Sequence, residues 1–390
     1  MPQREQTAVK RSRDIVDGRA GFRIYTDWGQ VGVLEGGGHI CELILNSVPR
    51  INPLWKPPWR TIDPDDYSPG RSRTYGPPPD GKLLAGIAGH SLSFDHFGPP
   101  SKEETAAGLA THGEAPCTRW KMRKGSAARR PTLHCGCLLH HAQISFSRTI
   151  TVDNTTPVVY CEERAENLGT YDRPISWNEH VTFGPPFLEC DTTIFDMPAT
   201  RAKVCPPGYS DRIFLQPNAE FTWPDGPRED GSRSNLRSVP DERYGHYTAQ
   251  LLDPALDIAF ISACNPRQRL LVVYAFRRDH FPWVGNWEER NNRTVAPWGE
   301  RTFCRGMEFS TTPFAISRRE TIDQGPLFGE TTYRWLPARS SLTVRYLIML
   351  FMTPEHFTGV SRVSIERGRA TVTEAAPGNR QLSVALAFQL

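Results

Sequence analysis

No apolar stretch in this chain is long enough to cross a bilayer as a helix. The most apolar run, Tyr346-Leu347-Ile348-Met349-Leu350-Phe351-Met352, is far shorter than the roughly 20 residues such a span needs and fits a buried strand. The first thirty residues hold no apolar segment of the secretory type. An excess of either charge is missing too: 46 Lys and Arg against 43 Asp and Glu leave a formal charge of +3. That balance points away from nucleic acid and from a membrane surface as partners. Arg4, Lys10, Arg11 and Arg13 sit among acidic residues without interleaved aromatics and read as a solvated tail. The 9 cysteines are odd in number and lack paired spacing, which favours reduced thiols and a cytoplasmic location. Glycine-rich phosphate loops and the Gly-x-Ser-x-Gly elbow of serine hydrolases are absent, and Gly36-Gly37-Gly38 reads as a strand bend. No segment sustains a 3.6-residue apolar period, and no repeat recurs at a solenoid or propeller period.

What is present is turn punctuation and aromatic mass. The 31 Gly and 34 Pro are spread along all 390 residues, with 19 Phe, 11 Tyr and 10 Trp between them. Short strand signals recur at 32–34, 40–45, 91–94, 138–150, 157–164, 175–183, 258–261, 270–276, 341–348, 370–373 and 382–388; residues 102–109 suit a short helix. The expected fold is all-β, a large antiparallel β-sandwich. A polar tail is expected over 1–21, and one sandwich domain over 22–390 with a C-terminal strand extension. A chain of this length buries roughly 75% of its extended surface, ample for one core.

Three stretches carry chemistry: Thr111-His112-Gly113-Glu114, Trp177-Asn178-Glu179-His180-Val181-Thr182-Phe183 and Gly306-Met307-Glu308-Phe309-Ser310-Thr311. Each reads as strand or strand end. Two histidines, which titrate near neutrality, and a carboxylate held on a sheet are a minimal kit for moving protons. Other groups have two readings. His134-Cys135-Gly136-Cys137 with His140-His141 lacks zinc-site spacing, so strand packing is favoured over a metal cluster. In Phe281-Pro282-Trp283-Val284-Gly285-Asn286-Trp287-Glu288-Glu289, read as a loop at a sheet end, Trp287 can stack on a sugar face while Glu288 accepts its hydroxyls. The same residues suit a capped core corner equally. Trp55 and Trp59 lie in a Pro-rich loop that invites a binding reading. His90, Asp95 and His96 flank one strand, either as polar strand ends or as a site, with His90 the candidate substrate contact.

The order His112-Gly113 … Trp120, then Trp177-Asn178-Glu179-His180-Val181-Thr182-Phe183, resembles the galactose mutarotase-like (aldose 1-epimerase-like) superfamily, in its poorly characterised branch. Gly37-Gly38-His39-Ile40-Cys41-Glu42-Leu43 and Gly306-Met307-Glu308-Phe309-Ser310-Thr311-Thr312-Pro313-Phe314 are similar to two further stretches of that family. The match spans roughly residues 30 to 355 and implies a β-supersandwich. It also implies ring opening of an aldose at its anomeric carbon, with His180 as general acid, His112 orienting the sugar, Asn178 beside it and a glutamate as general base. No metal or cofactor is implied, and a carbohydrate is the expected partner; the oligomeric state is left open. Two departures stand out. The family's late Pro-Gly-Glu turn corresponds to Leu336-Pro337-Ala338-Arg339-Ser340-Ser341-Leu342, which has no carboxylate, and the arginine upstream of the His-Gly pair has no match. Glu308 becomes the substitute base, with Glu179 and Glu288 behind it. A sugar-binding module without the chemistry, or a lyase or hydrolase on the same scaffold, are the alternative functions.

Overall fold

Alternating strands broken by Gly and Pro build two large antiparallel sheets that face each other. The computed structural model describes residues 14–48, 50–125 and 130–390. The first sheet runs in the order Asp14–Val16, Arg19–Tyr25, Gly29–Leu34, Ile40–Leu45, His90–Asp95, Arg173–Phe183, Phe303–Ser310, Trp283–Arg290, Tyr244–Leu252, Ala199–Val204, Glu220–Phe221. The second runs Ile194–Asp196, Ile258–Asn265, Leu270–Arg277, Ser341–Met352, Val158–Asn167, Ile144–Val152, Thr132–Leu139, Lys121–Lys124. The fold is therefore all-β and antiparallel, as the turn spacing implies. Helices are short; Lys102–Ala106 begins with a capping box between Ser101 and Glu104, within the stretch expected to be helical. No helix among the described residues is long and apolar enough to cross a membrane.

The main core fills the space between the sheets. Phe94 meets Trp177 and Phe146 at ring-centroid distances of 5.0 Å each, and Trp120 meets Phe146 at 5.5 Å. Cys135 and Cys137 pack into this core from the Thr132–Leu139 strand, while the His134 ring pairs with Thr149 Oγ1 instead. The second sheet buries its other face under a meander of Val360–Glu366, Arg369–Glu374 and Gln381–Ala385, whose Val363, Val372 and Val384 pack against Phe260, Leu271 and Met349. The first sheet's outer face carries a separate cluster including Trp55, Leu83, Phe97, Trp287 and Trp298, contributed largely by the loops and short helices that cover it.

The expected tail needs a correction. Strands Asp14–Val16 and Arg19–Tyr25 pair within it, with Val16 opposite Arg19 across Asp17 and Gly18, both at positive φ. An Asp-Gly pair between strand residues is a strong tight-hairpin signal, and it marks this turn in the sequence. Arg4, Lys10, Arg11 and Arg13 lie outside the described residues.

Candidate active site

The floor of the site comes from alternation on neighbouring strands of the first sheet. Along Arg173–Phe183, Ile175, Trp177, Val181 and Phe183 enter the inter-sheet core. Strand geometry sends Asn178, His180 and Thr182 to the opposite face. His180 stands across from Glu308, and Glu308 across from Gly285 on the next strand. Two glycines leave room on this face. A Cβ on Gly285 would lie 1.9 Å from Tyr247 Oη, and one on Gly306 would lie 2.7 Å from Glu308 Oε1. The two positions keep room for a phenol and a carboxyl group on an otherwise crowded face.

Covering segments turn this floor into a cavity of about 540 Å³, lined by His112, His180, Glu308, Tyr247, Trp287 and Arg293 among others. That is the size range of small-molecule sites. His112 arrives from a turn after the Lys102–Ala106 helix, at φ +66°, not from a strand as its sequence context suggested. Its ring stacks on Phe97 at 5.0 Å and lies 5.5 Å from the His180 ring. The Gly98 backbone N–H donates to His112 Nδ1 at 3.1 Å, which places the proton of the neutral ring on Nε2 and makes that edge a donor. A side chain at Gly98 (φ +111°) would meet the Ala315 backbone at 2.4 Å, so this loop depends on glycine to approach the ring.

His180 Nε2 lies 3.2 Å from Glu308 Oε1, and Asn178 Nδ2 donates to Glu308 Oε2 at 3.4 Å. His180 Nδ1 and Thr182 Oγ1 are 3.0 Å apart. In the tautomer where Nδ1–H donates to Thr182, Nε2 is left as an acceptor facing the carboxyl group. Burial drives the two groups apart in acidity. It lowers the His180 pKa to about 4 and raises that of Glu308 well above the usual carboxylate value, the latter only partly opposed by Asn178. Burial also holds His112 well below 6.5, and the Arg293 charge pushes the same way. Burial thus favours the uncharged form of all three groups, the protonated carboxyl and the neutral rings.

The sequence candidates divide between the two faces of the sheet. His112, His180, Glu308 and Trp287 line the cavity, with the Trp287 ring 5.5 Å from His180. Asn178 is fully buried beneath them. His90 and Glu288, expected to touch substrate, face the inter-sheet side. His90 Nε2 is 2.7 Å from Glu179 Oε2, and Glu288 lies 3.0 Å from Arg305 Nη1 and accepts from the Tyr244 hydroxyl. Period-two alternation separates Glu288 from Trp287 and Glu179 from His180. Glu179 instead joins Glu163, Arg148 and Tyr346 in a buried polar knot between the sheets. Trp283–Arg290 is a strand, not a loop. Trp55, expected in an open binding loop, is buried, stacked on Trp298 at 6.4 Å in the aromatic wall. The turn at 336–342 does not line the cavity. Sequence reasoning missed Phe97, Tyr209, Tyr247, Arg293 and Trp298, all cavity-lining residues. Tyr247 lies on a strand buried on both faces, where alternation is silent, and Arg293 lies in a connection after a strand end.

No family model matches the sequence, and no curated protein matches it. Solved structures do. A candidate aldose 1-epimerase from Klebsiella pneumoniae superposes with a TM-score of 0.63 at 12% identity, over 86% of this chain and 80% of the other. A galactose mutarotase-like protein from Clostridium acetobutylicum gives 0.59 at 12%, over 88% and 98%. A galactose mutarotase related enzyme from Lactobacillus acidophilus gives 0.52 at 13%, over 86% and 99%. At these identities the likeness is one of architecture: this chain has the galactose mutarotase-like β-sandwich fold.

Proposed function

We propose that this protein is a carbohydrate-active enzyme of the aldose 1-epimerase type, and that His180 and Glu308 together interconvert sugar anomers. The observation that carries this is the 3.2 Å approach of His180 Nε2 to Glu308 Oε1 on the floor of an aromatic cavity of sugar size. The two oxygens of an anomeric centre share one carbon, so a pair of adjacent proton-handling groups can serve both from one side. The acidities favour an assignment opposite to the one the motif order implies. Glu308, protonated, gives its proton to the ring oxygen, while His180 Nε2, neutral, takes the proton of the anomeric hydroxyl. The bond from the anomeric carbon to the ring oxygen breaks and the anomeric carbonyl forms, leaving imidazolium and carboxylate. Rotation about the bond to the adjacent carbon presents the other carbonyl face. Reclosure runs the same transfers backwards: imidazolium protonates the carbonyl oxygen as the ring hydroxyl attacks and returns its proton to Glu308. All atoms and charges balance, and the enzyme ends as it began.

The other groups support this reading. His112 Nε2–H donates to a sugar oxygen beside the pair, and Trp287 offers a face to the ring's C–H groups. Asn178 and Thr182 hold the pair in register. The reading is tested by following anomer exchange above the spontaneous rate, by polarimetry or NMR. His180→Asn and Glu308→Gln should each lose about 10²–10⁴-fold in rate, the usual contribution of a positioned acid or base. Tight saccharide binding without exchange in the unmodified protein would make it a sugar-binding module instead. A change in product mass would point to lyase or hydrolase chemistry.

A further inference from the structure

One charged group on the cavity wall has no part in the proton transfers. Arg293 follows the Trp283–Arg290 strand, and its guanidinium carbon lies 4.9 Å from the Trp298 ring centroid, 5.8 Å from Tyr209 and 5.9 Å from Trp287. Glu289, almost fully buried, fixes its base: Glu289 Oε1 accepts the backbone N–H groups of Asn292 and Arg293 at 2.8 and 2.9 Å. The other oxygen, Oε2, stays 3.6 Å from Arg293 Nη1 and makes no hydrogen bond. The guanidinium is therefore clamped between aromatic faces and steadied by a carboxylate held at arm's length, while part of it stays open to the cavity. Five N–H donors in a rigid fork exceed what Glu289 and the neighbouring Tyr209 hydroxyl can occupy.

We propose that Arg293 is a carboxylate subsite, and that the ligand is an acidic sugar of the uronic acid class, bearing its carboxylate on the carbon next to the ring oxygen. The assignment rests on the cavity being a sugar site. Arg293 is the only Lys or Arg among the described lining residues. A planar carboxylate matches one guanidinium in a two-point fork, whereas a phosphate dianion calls for clustered cations. The lining acids Asp80 and Asp211 are exposed at the rim, where water screens them, but they oppose the entry of a dianion more than that of a monoanion. Deeper in, burial disfavours the charged form of Glu308, which lessens its repulsion of an acidic ligand. The Arg293 guanidinium lies 5.9 Å from the Trp287 ring centroid, which itself lies 5.5 Å from the His180 ring. A substituent beside the ring oxygen would thus reach the guanidinium while the anomeric centre sits at the histidines.

The test uses the full chain with glucuronate, galacturonate, their neutral aldoses and the corresponding 6-phosphates, measuring both binding by calorimetry and anomer exchange by NMR. Uronates should be preferred over the neutral sugars by about tenfold or more, the range of a charge-assisted two-point contact. Arg293→Met should remove that preference by raising KM for uronates, and Arg293→Lys should restore part of it, keeping the charge but losing the fork. An unchanged melting temperature in both variants confirms that the fold is intact. Equal or better use of neutral aldoses, indifference to Arg293→Met, or preference for the 6-phosphates would each overturn the subsite. Arg293-dependent uronate binding without any exchange would instead leave the subsite standing and remove the anomer-exchange reading.

Discussion

At the scale of single residues, the site is a case of one environment setting opposite acidities on two neighbours. Deep burial penalises charge on both His180 and Glu308, which depresses the ring and raises the carboxyl group. The rate of anomer exchange should therefore hold level around neutrality and fall as pH drops toward about 4, where His180 becomes protonated and can no longer accept. A profile that instead rises on acidification would assign the ring as the donor. Gly285 offers a second residue-scale test. Gly285→Ala places a methyl group 1.9 Å from Tyr247 Oη, so the phenol must shift from its present position at the cavity wall. The substitution should cost about 1–3 kcal/mol in stability, the usual penalty of overpacking, readable by denaturant unfolding. Full wild-type stability with a normal KM would show that the phenol has slack.

At the scale of elements, the strands that build the site are buried on both faces, so burial alone does not make a strand legible. In Arg173–Phe183 the motif Trp177-Asn178-Glu179-His180 carried the reading of His180, whereas period-two alternation placed Cys135 and Cys137 together. His90–Asp95 and Trp283–Arg290 are fully or almost fully buried on both sides, so polar residues there have no solvent face to declare them. His90 reads as a site residue from its place at a strand end, and Glu288 from its place beside Trp287. Trp283–Arg290 reads as a loop in the sequence because Pro282 precedes it and Gly285 interrupts it, although that glycine makes room for Tyr247 across the strand pair. Loop residues such as Arg293 depend on chain folding that no local pattern encodes. The resemblance placed His112 and His180 because it rests on their order and spacing, but it supplied no base from the turn at 336–342. Behind the site, Arg148 donates to Gly38 O at 2.9 Å and to Glu179 Oε2 at 3.2 Å, ties to Glu163, and so joins strands of both sheets. Arg148→Met removes the one cation from two buried carboxyl groups. It should cost about 3–5 kcal/mol, the usual range for breaking a buried pair. Glu163→Gln combined with it should recover part of that loss.

At the scale of the whole molecule, buried titratable groups set how stability depends on pH. His39, His90, His112, His180 and His246 are all held below their usual pKa by burial, two of them to about 4. Their contribution is complete above 6.5 and is lost as pH falls through the folded values. Glu163 behaves in the opposite way. Burial, reinforced by the neighbouring Glu179, lifts it from 4.5 to about 8 against the pull of Arg148, so its contribution is complete below 4.5 and is lost as pH rises through 8. The melting temperature should peak near pH 6.5 and decline on both sides, and Glu163→Gln should flatten the alkaline decline. A melting temperature that climbs steadily to pH 9 would exclude this role for Glu163.

The central claim is that adjacent His180 and Glu308 act as one proton-transfer unit on a sugar. Its most direct test is the rate of anomer exchange in wild type and Glu308→Gln across pH 4 to 9, with uronates and neutral aldoses both offered. The variant should lose about 10²–10⁴-fold throughout the neutral range, with the fold unchanged. Wild-type rates in Glu308→Gln, on any sugar the protein turns over, would contradict it.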